Sequence, residues 1–168
     1  MSAQALRGGV PIRHGDYMDP SEHTEDILWL LKLAFHYGRE TVNDAISRHG
    51  VTTAQSGLLR QLAEEPGLSG AELSRRLMIT PQGAQLALSA LERHGFIERR
   101  PDPNHGRIQR AYLTKQGTRI TEACYSESVA AQDELFSVLT DREQQTLRKL
   151  LLKVVDQGTR TTTNAPKT

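Results

Sequence analysis

LERHGFIER, residues 91–99, is the stretch in which this sequence changes from helical to strand spacing. Upstream of it, apolar side chains recur with the period of an α-helix. Thr80 can cap this helix and Pro81 suits its first turn, while His94-Gly95 is typical of a helix end. The pattern predicts a helix over residues 80–94.

Shorter helices precede this one. Thr52 with Gln55, and then Ser69 with Glu72, have the spacing of a capping box, in which the side chains satisfy each other's backbone N–H groups. Only Met78-Ile79 and one cap residue separate the helix that starts at Ser69 from the next. Two short helices joined by so tight a turn form a helix-turn-helix.

Two short strands are predicted downstream of residue 95. Residues 96–100 form one, and residues 108–113 alternate in polarity as a second. The segment between them, PDPNHG at residues 101–106, consists of turn residues. A hairpin directly after a helix-turn-helix forms a wing, which here spans residues 96–113.

Longer helices flank this lobe, so the fold is expected to be mainly α with a small β-wing. Asp19 and Pro20 begin a long first helix that ends at Gly50, and Thr114 and Thr140 cap the last two, with Gly158 as the end of the final one. The predicted segments are a flexible N-terminal arm (1–18), an N-terminal dimerisation helix (19–50), a winged helix-turn-helix lobe (51–114), C-terminal dimerisation helices (115–157) and a disordered tail (158–168).

Composition excludes several classes of protein. The 168 residues carry a formal net charge of only +1, so a DNA-binding surface must come from local clusters of basic residues. The single cysteine, Cys124, allows no internal disulfide and no cysteine-based metal cluster. No apolar run approaches the roughly 18 residues of a membrane helix, and residues 1–18 lack the apolar core of a secretion signal. We therefore expect a cytoplasmic protein.

Motifs for catalysis are missing from the sequence. It has no nucleophile elbow, phosphate-binding loop, dinucleotide-binding glycine pattern or His-x-x-x-His motif. His94 and His105 lie near the wing, but two histidines with Asp102 in a Pro/Gly loop make a poor metal site. We expect no catalytic residue, no metal and no cofactor.

The helix-turn-helix and the wing carry the side chains that DNA recognition needs. The N-terminal end of a recognition helix enters the major groove, where Gln82 and Gln85 could each bond the N6 and N7 atoms of an adenine. Arginines around this helix could bind phosphates, although Arg99 and Arg100 fit ordinary surface charges equally well. The predicted DNA-binding residues are Ser69, Arg75, Arg76, Thr80, Pro81, Gln82, Gln85, Ser89, Asn104, His105, Arg107 and Arg110.

The order of elements, together with residues 91–99, resembles the MarR (multiple antibiotic resistance regulator) family of bacterial transcription regulators from about residue 20 to residue 157. The wing is also similar, from Asp102-Pro103 through Gly106-Arg107 to Leu113-Thr114. The resemblance implies a DNA-binding repressor in which Arg107 enters the minor groove, and Asp102 is the expected partner that holds the loop in shape.

Three positions depart from the pattern of the family. The family often has an acidic residue where this chain has His105, and an arginine where it has Leu86. Gly83 is unusual in the first turn of a helix, because glycine weakens helices by roughly 1 kcal/mol relative to alanine. The operator of a relative should therefore not be transferred to this chain.

The resemblance further implies a homodimer that responds to a small molecule. The first and the last two helices would interleave with a second subunit and place two recognition helices about 34–36 Å apart on a near-palindromic operator. An aromatic or phenolic effector would release the DNA. Candidate effector-binding residues are Arg13, His14, Trp29, His36, Tyr37 and Arg39.

Other interpretations stay open at this point. Trp29 and Tyr37 fit core or interface positions as well as a binding pocket. Cys124 could sense oxidants, but it shares the apolar face of its helix with Ile120, and buried structural cysteine is the stronger interpretation. The chain could also be a winged-helix dimer that binds protein rather than specific DNA.

Overall fold

The computed structural model describes residues 25–163, and within them the chain is mainly helical with one small sheet. The chain divides into two compact units between Tyr37 and Gly38. The elements are α1 (Ile27–Ile46), a short 3-10 helix (Ser47–His49), α2 (Thr53–Glu64), β1 (Leu68–Ser69), α3 (Gly70–Arg76), α4 (Pro81–Arg93), β2 (Ile97–Pro101), β3 (Gln109–Leu113), α5 (Lys115–Phe136) and α6 (Asp141–Thr163).

The first helix starts later than the sequence predicted. The Oδ1 atom of Asp26 accepts hydrogen bonds from the backbone N–H groups of Leu28, at 2.9 Å, and Trp29, at 3.2 Å, so Asp26 caps α1. The predicted cap Asp19 and the predicted arm, residues 1–18, lie outside the described residues. The predicted glycine end is confirmed, because Gly50 adopts φ +69° after the 3-10 helix.

Side-chain caps fix the other helix starts of the lobe as predicted. Capping boxes are complete at Thr52 and Ser69. Thr80 Oγ1 accepts from the backbone N–H of Gly83 at 3.0 Å, and Thr114 Oγ1 accepts from that of Gly117 at 3.0 Å. Helix starts could be predicted because each depends on residues only three positions apart.

The sheet has three strands in the order β1-β3-β2, all antiparallel. The two wing strands were predicted, whereas β1 was not. It is two residues long, and its Leu68 pairs with Ala111 of β3. So short a strand has no periodicity of its own, and it exists because β3 offers it a free edge.

One apolar core joins the helix-turn-helix to the wing and to α5. Leu58, Leu59 and Leu62 of α2 are buried in it together with Leu88 and Leu91 of α4. The core is completed by Ile46, Val51, Leu68, Leu73, Phe96, Ile97, Ala111 and Cys124. It holds α4 and the wing in a fixed relation.

The start of α5 lies directly against the start of the wing. A Cβ atom placed on Gly117 would come within 1.9 Å of the carbonyl oxygen of Phe96. The same oxygen accepts from the backbone N–H of Thr114 at 3.0 Å, and Thr114 Oγ1 donates to the carbonyl of Gly95 at 2.7 Å. Only glycine at position 117 permits this approach.

The last helix runs to Thr163. The predicted helix end at Gly158 is therefore wrong, and so is the predicted disordered tail over residues 158–163. Gly158 keeps a helical backbone, because glycine weakens a helix without breaking it. Arg160 forms an ion pair with Asp156 one turn earlier, and Thr161 donates to the carbonyl of Gln157.

The apolar side chains of α6 are largely exposed. Val154 is 59% exposed, and Leu150, Leu152 and Val155 exceed half as well. Within residues 25–163, no helix is both long enough and apolar enough to cross a membrane.

Candidate nucleic-acid interface

Helix α4 has one buried face and one outward face. Ala84, Leu88 and Leu91 are buried in the core. The outward face consists of Gln82, Gln85, Leu86, Ser89 and Arg93, which are exposed apart from the half-buried Ser89. Spacings of three and four residues place them in one continuous stripe. This face and its neighbour Pro81 are accessible to a groove of DNA.

Several polar side chains along α4 are engaged by the protein itself. Thr80 uses its hydroxyl as the helix cap, and Ser89 Oγ accepts from Arg99 at 3.5 Å. The amide of Gln85 leans on α3, since a Cβ on Gly70 would come within 2.4 Å of its Nε2 atom. Gln82 and Leu86, together with Arg93 in the last turn, are therefore the exposed side chains of this face for which no such engagement is seen among the described residues.

The turn between α3 and α4 is strained at Met78. Its φ is +52°, a left-handed conformation that a residue with a Cβ atom adopts at a cost, and its side chain is 92% exposed. The backbone N–H of Ile79 donates to the carbonyl of Ser74 at 3.1 Å and closes the turn. This geometry sets the angle at which α4 leaves α3.

The wing loop is organised around Asp102, as the sequence predicted. Its Oδ1 atom accepts from the backbone N–H groups of Asn104, at 2.7 Å, and His105, at 2.9 Å. Its Oδ2 atom accepts from Arg110 Nε. The hydrogen bond from Arg110 and those from the loop backbone hold the pKa of this carboxyl below its usual range. Asp102 is 4% exposed and stays charged while buried in the loop.

Arg110 makes contacts within the protein that its predicted DNA-binding role does not include. Its Nη1 atom donates to the carbonyl of Gly67 at 2.7 Å and lies 3.6 Å from Glu72 Oε2, while its Nε atom bonds Asp102. Through its Nε and Nη1 atoms the guanidinium thus joins the wing to Gly67, just before β1, and to Glu72 of α3. These contacts position the wing, and a phosphate contact by Arg110 stays a prediction. Its sequence position alone did not reveal this, because Gly67 is 43 residues away.

The remaining predicted cations differ in how they are engaged. Arg107 and Arg75 are exposed, and neither has a carboxylate at ion-pair distance among the residues that the structure describes. Arg76 pairs with Glu65 at 2.5 Å. Arg99 pairs with Glu92, and Arg100 pairs with Glu98 and lies over the Tyr112 ring at 5.0 Å. Asn104 and His105 are exposed beside Arg107, and Ser69 is half-buried as the cap of α3.

Comparisons with known proteins agree on one family. A family model described as MarR family matches residues 49–108. The HTH-type transcriptional repressor Rv2887 of Mycobacterium tuberculosis is 33% identical over 116 residues, which is 69% of this chain and 84% of that protein. An uncharacterised HTH-type transcriptional regulator of Bacillus cereus is 32% identical over 130 residues, 76% of this chain and 86% of its own.

The chain belongs to the MarR family of transcriptional regulators.

Solved structures of MarR-family proteins share the fold. Wild-type MarR of Escherichia coli in its apo form superposes with a TM-score of 0.70 at 28% identity and covers 77% of this chain and 96% of that one. The Rv2887 protein in complex with salicylic acid gives 0.64 at 31% identity, again with 77% and 96% covered. The winged helix and the family assignment from sequence are thereby confirmed.

The predicted effector-binding residues of this MarR-family chain are only partly described. Arg13 and His14 lie outside the described residues. Within residues 25–37, Trp29 is half-buried with Lys32 Nζ 4.9 Å from its ring centre, and the rings of His36 and Tyr37 meet edge to face at 5.4 Å. Arg39, in the second unit, pairs with Glu40 at 3.2 Å. Their role in binding stays a prediction.

Cys124 is a core residue. It is fully buried, and its burial raises the pKa of the thiol above the ordinary value. An oxidant sensor needs an accessible thiolate, so this environment opposes the sensing hypothesis. No group of side chains among the described residues has the arrangement of a metal site.

Sequence reasoning missed an ion-pair cluster that joins α5 to the 3-10 helix that follows α1. Glu127 Oε1 accepts from Arg48 and lies 2.9 Å from His49 Nε2. These hydrogen bonds lower the pKa of the Glu127 carboxyl. His49 and Arg48 lie 78 and 79 residues before Glu127 in the sequence, so no local pattern could have revealed these contacts.

Proposed function

We propose that this chain is a cytoplasmic, homodimeric repressor that binds a near-palindromic operator and is released by a small aromatic or phenolic molecule. The recognition helix would be α4, and the wing would contact the adjacent minor groove.

The outward face of α4 beside a fixed wing is the observation that carries the proposal. Asp102 and Arg110 tie the wing to the β1–α3 junction, while Arg107 is left exposed near the tip of the loop. A wing held in place loses little conformational entropy on binding. Arginine is the side chain that a narrow minor groove attracts most strongly.

Exposed apolar side chains on α6 support the dimer. Leu150, Val154 and Val155 form part of a stripe along this helix, and Leu147 and Leu151 continue it. An exposed apolar stripe of this length marks an interaction surface. A two-fold dimer would place the two recognition helices about one turn of DNA apart, roughly 34–36 Å.

Salt-dependent binding to duplex DNA tests the proposal. DNA fragments are first selected from a random pool, and the dissociation constant is then measured between low and moderate salt. Each protomer contributes its phosphate contacts to the slope of log K against log salt, which is about −0.9 per contact. No enriched sequence and no salt dependence would overturn the proposal and favour a protein-binding dimer instead.

Arg107→Ala tests the wing separately. We expect the affinity to fall about tenfold or more and the salt slope to decrease by about one per protomer. The matched control is Arg160→Ala, which removes the same charge from an exposed position on α6. Equal effects of the two variants would remove the assignment of Arg107 to the DNA.

Release by an effector is tested with salicylate as the probe. The Rv2887 protein has been crystallised with salicylic acid and with p-aminosalicylic acid, and it is about 30% identical to this chain. We expect salicylate to weaken the complex with the selected DNA, and Trp29→Phe or Arg39→Ala to raise the concentration required. If salicylate and related aromatic acids leave the complex unchanged, the effector part of the proposal is wrong.

A further inference from the structure

The recognition helix has an unusual distribution of charge. From Thr80 to Leu91 it has no Lys, Arg, Asp or Glu, and its first charged side chains are Glu92 and Arg93 in the last turn. The commonest base-specific contact is an arginine or lysine that bonds O6 and N7 of guanine. The central outward face of α4 cannot make this contact. It must recognise bases by amide hydrogen bonds and by apolar contact.

Leu86 occupies the centre of that face. Its side chain is 67% exposed, although leucine is usually buried, and it lies one turn after Gln82. Gln85 leans on Gly70, and Ser89 is bonded by Arg99, so the polar neighbours of Leu86 are partly engaged within the lobe. The surface offered to a groove is therefore one amide, from Gln82, followed by one apolar side chain.

We propose that Leu86 is a specificity-determining residue that recognises the 5-methyl group of a thymine in the major groove, while Gln82 bonds an adenine one or two base pairs away. The inference rests on the proposed DNA-binding function and deepens it, because it assigns an A·T-rich centre to each half-site. The thymine methyl is the only apolar group that unmodified base pairs present in the major groove. One helical turn rises about 5.4 Å and one base pair about 3.4 Å, so residues 82 and 86 reach neighbouring base pairs.

The size of the effect follows from the burial of one methyl group. Removing a buried group of this size from an apolar contact weakens binding by about fourfold at each site. A symmetric dimer on a palindrome would make the contact twice, so removal from both half-sites weakens binding by about 15-fold. Leu86→Ala should cause a loss of the same order, and the exposed position means that the substitution leaves the core unchanged.

The test replaces single thymines of the selected DNA with deoxyuridine, which lacks only the methyl group. We expect one thymine in each half-site at which replacement weakens binding by the wild-type protein about fourfold, and 5-methylcytosine there to bind more tightly than cytosine. Leu86→Ala should lose the sensitivity to deoxyuridine at that thymine. At every other thymine it should respond to the replacement as the wild type does. Leu86→Gln is the polar control, which should shift the preference at that position without restoring sensitivity to the methyl group.

The outcomes separate this inference from the proposed function. The inference fails alone if the protein selects a sequence but tolerates deoxyuridine at every thymine. It also fails alone if binding by Leu86→Ala is as sensitive to deoxyuridine as binding by the wild type, because Leu86 then does not recognise a methyl group. A guanine at the central positions of each selected half-site would also overturn the inference. If no sequence is selected at all, the DNA-binding proposal fails together with it.

Discussion

The winged helix-turn-helix lobe and helix α6 use the same kind of apolar side chain in opposite ways. Leu58 and Leu88 of the lobe are almost completely buried, whereas Leu150 and Val154 of α6 are more than half exposed. Both regions have capping boxes and helical spacing of their apolar residues. An amphipathic pattern therefore tells which side of a helix is apolar, but not whether the same chain covers it.

The lobe side of this comparison is most strongly tested at Gly117. In Gly117→Ala, the new Cβ atom would lie 1.9 Å from the carbonyl oxygen of Phe96, and a backbone oxygen cannot move aside as a side chain can. We expect the free energy of unfolding to fall by about 3 kcal/mol, measured by urea denaturation at fixed protein concentration.

Gly158→Ala is the matched control in α6. A Cβ atom there meets nothing within 4 Å, and the backbone is helical. Alanine should therefore stabilise this helix by up to about 1 kcal/mol. If Gly117→Ala is as harmless as Gly158→Ala, the contact between α5 and the wing is looser than the structure shows.

Charged substitutions on the apolar stripe of α6 test whether a second protomer covers this stripe. We expect Leu150→Asp with Val154→Asp to raise the dissociation constant of the dimer by about a hundredfold, because two carboxylates from each protomer would have to be buried in the interface. Sedimentation equilibrium measures the constant, and circular dichroism checks that the lobe remains folded. Gln145→Asp with Lys149→Gln makes the same change in net charge on the polar face, and a similar effect of both pairs would contradict an interface on the apolar stripe.

The smallest effect is expected within the lobe, at the turn before α4. Met78→Gly should raise the free energy of unfolding by about 1 kcal/mol, because glycine adopts φ +52° without the clash of a Cβ atom and the exposed side chain contributes little packing. Met78→Ala keeps the Cβ atom and should leave the stability unchanged. A loss of stability in Met78→Gly would show that the methionine side chain makes a contact that outweighs its strain.

Sequence reasoning succeeded where the cause is local. Thr52, Ser69 and Thr80 each bond a backbone group three residues away, so their positions could be read directly from spacing. The wing was recognisable because its turn residues lie between two short predicted strands, of which the second alternates in polarity. Asp102 was assigned correctly because it bonds backbone groups two and three residues further along its own loop.

Errors arose where a distant residue decides the outcome. The engagement of the Arg110 guanidinium by Asp102 and by the Gly67 carbonyl was not predicted. Strand β1 depends on the free edge of β3, and Glu127 depends on partners in the 3-10 helix that follows α1. The end of α6 was placed too early at Gly158, since the ion pair of Arg160 with Asp156 supports the following turn. The long-range contacts leave no local pattern, whereas the Arg160–Asp156 pair is local, at a spacing of four residues, and was not weighed against Gly158.

The close contact between Gly117 and Phe96 means that the start of α5 and the start of the wing move together as a rigid unit. Helix α5 has 22 residues, which corresponds to a rod about 33 Å long, and the first wing strand is fastened to its N-terminal end. A tilt of about 5° around the far end of such a rod displaces the near end by about 3 Å, the length of one hydrogen bond. An event that tilts α5 by this angle would therefore displace the start of the wing by the same distance, with no need for a separate hinge.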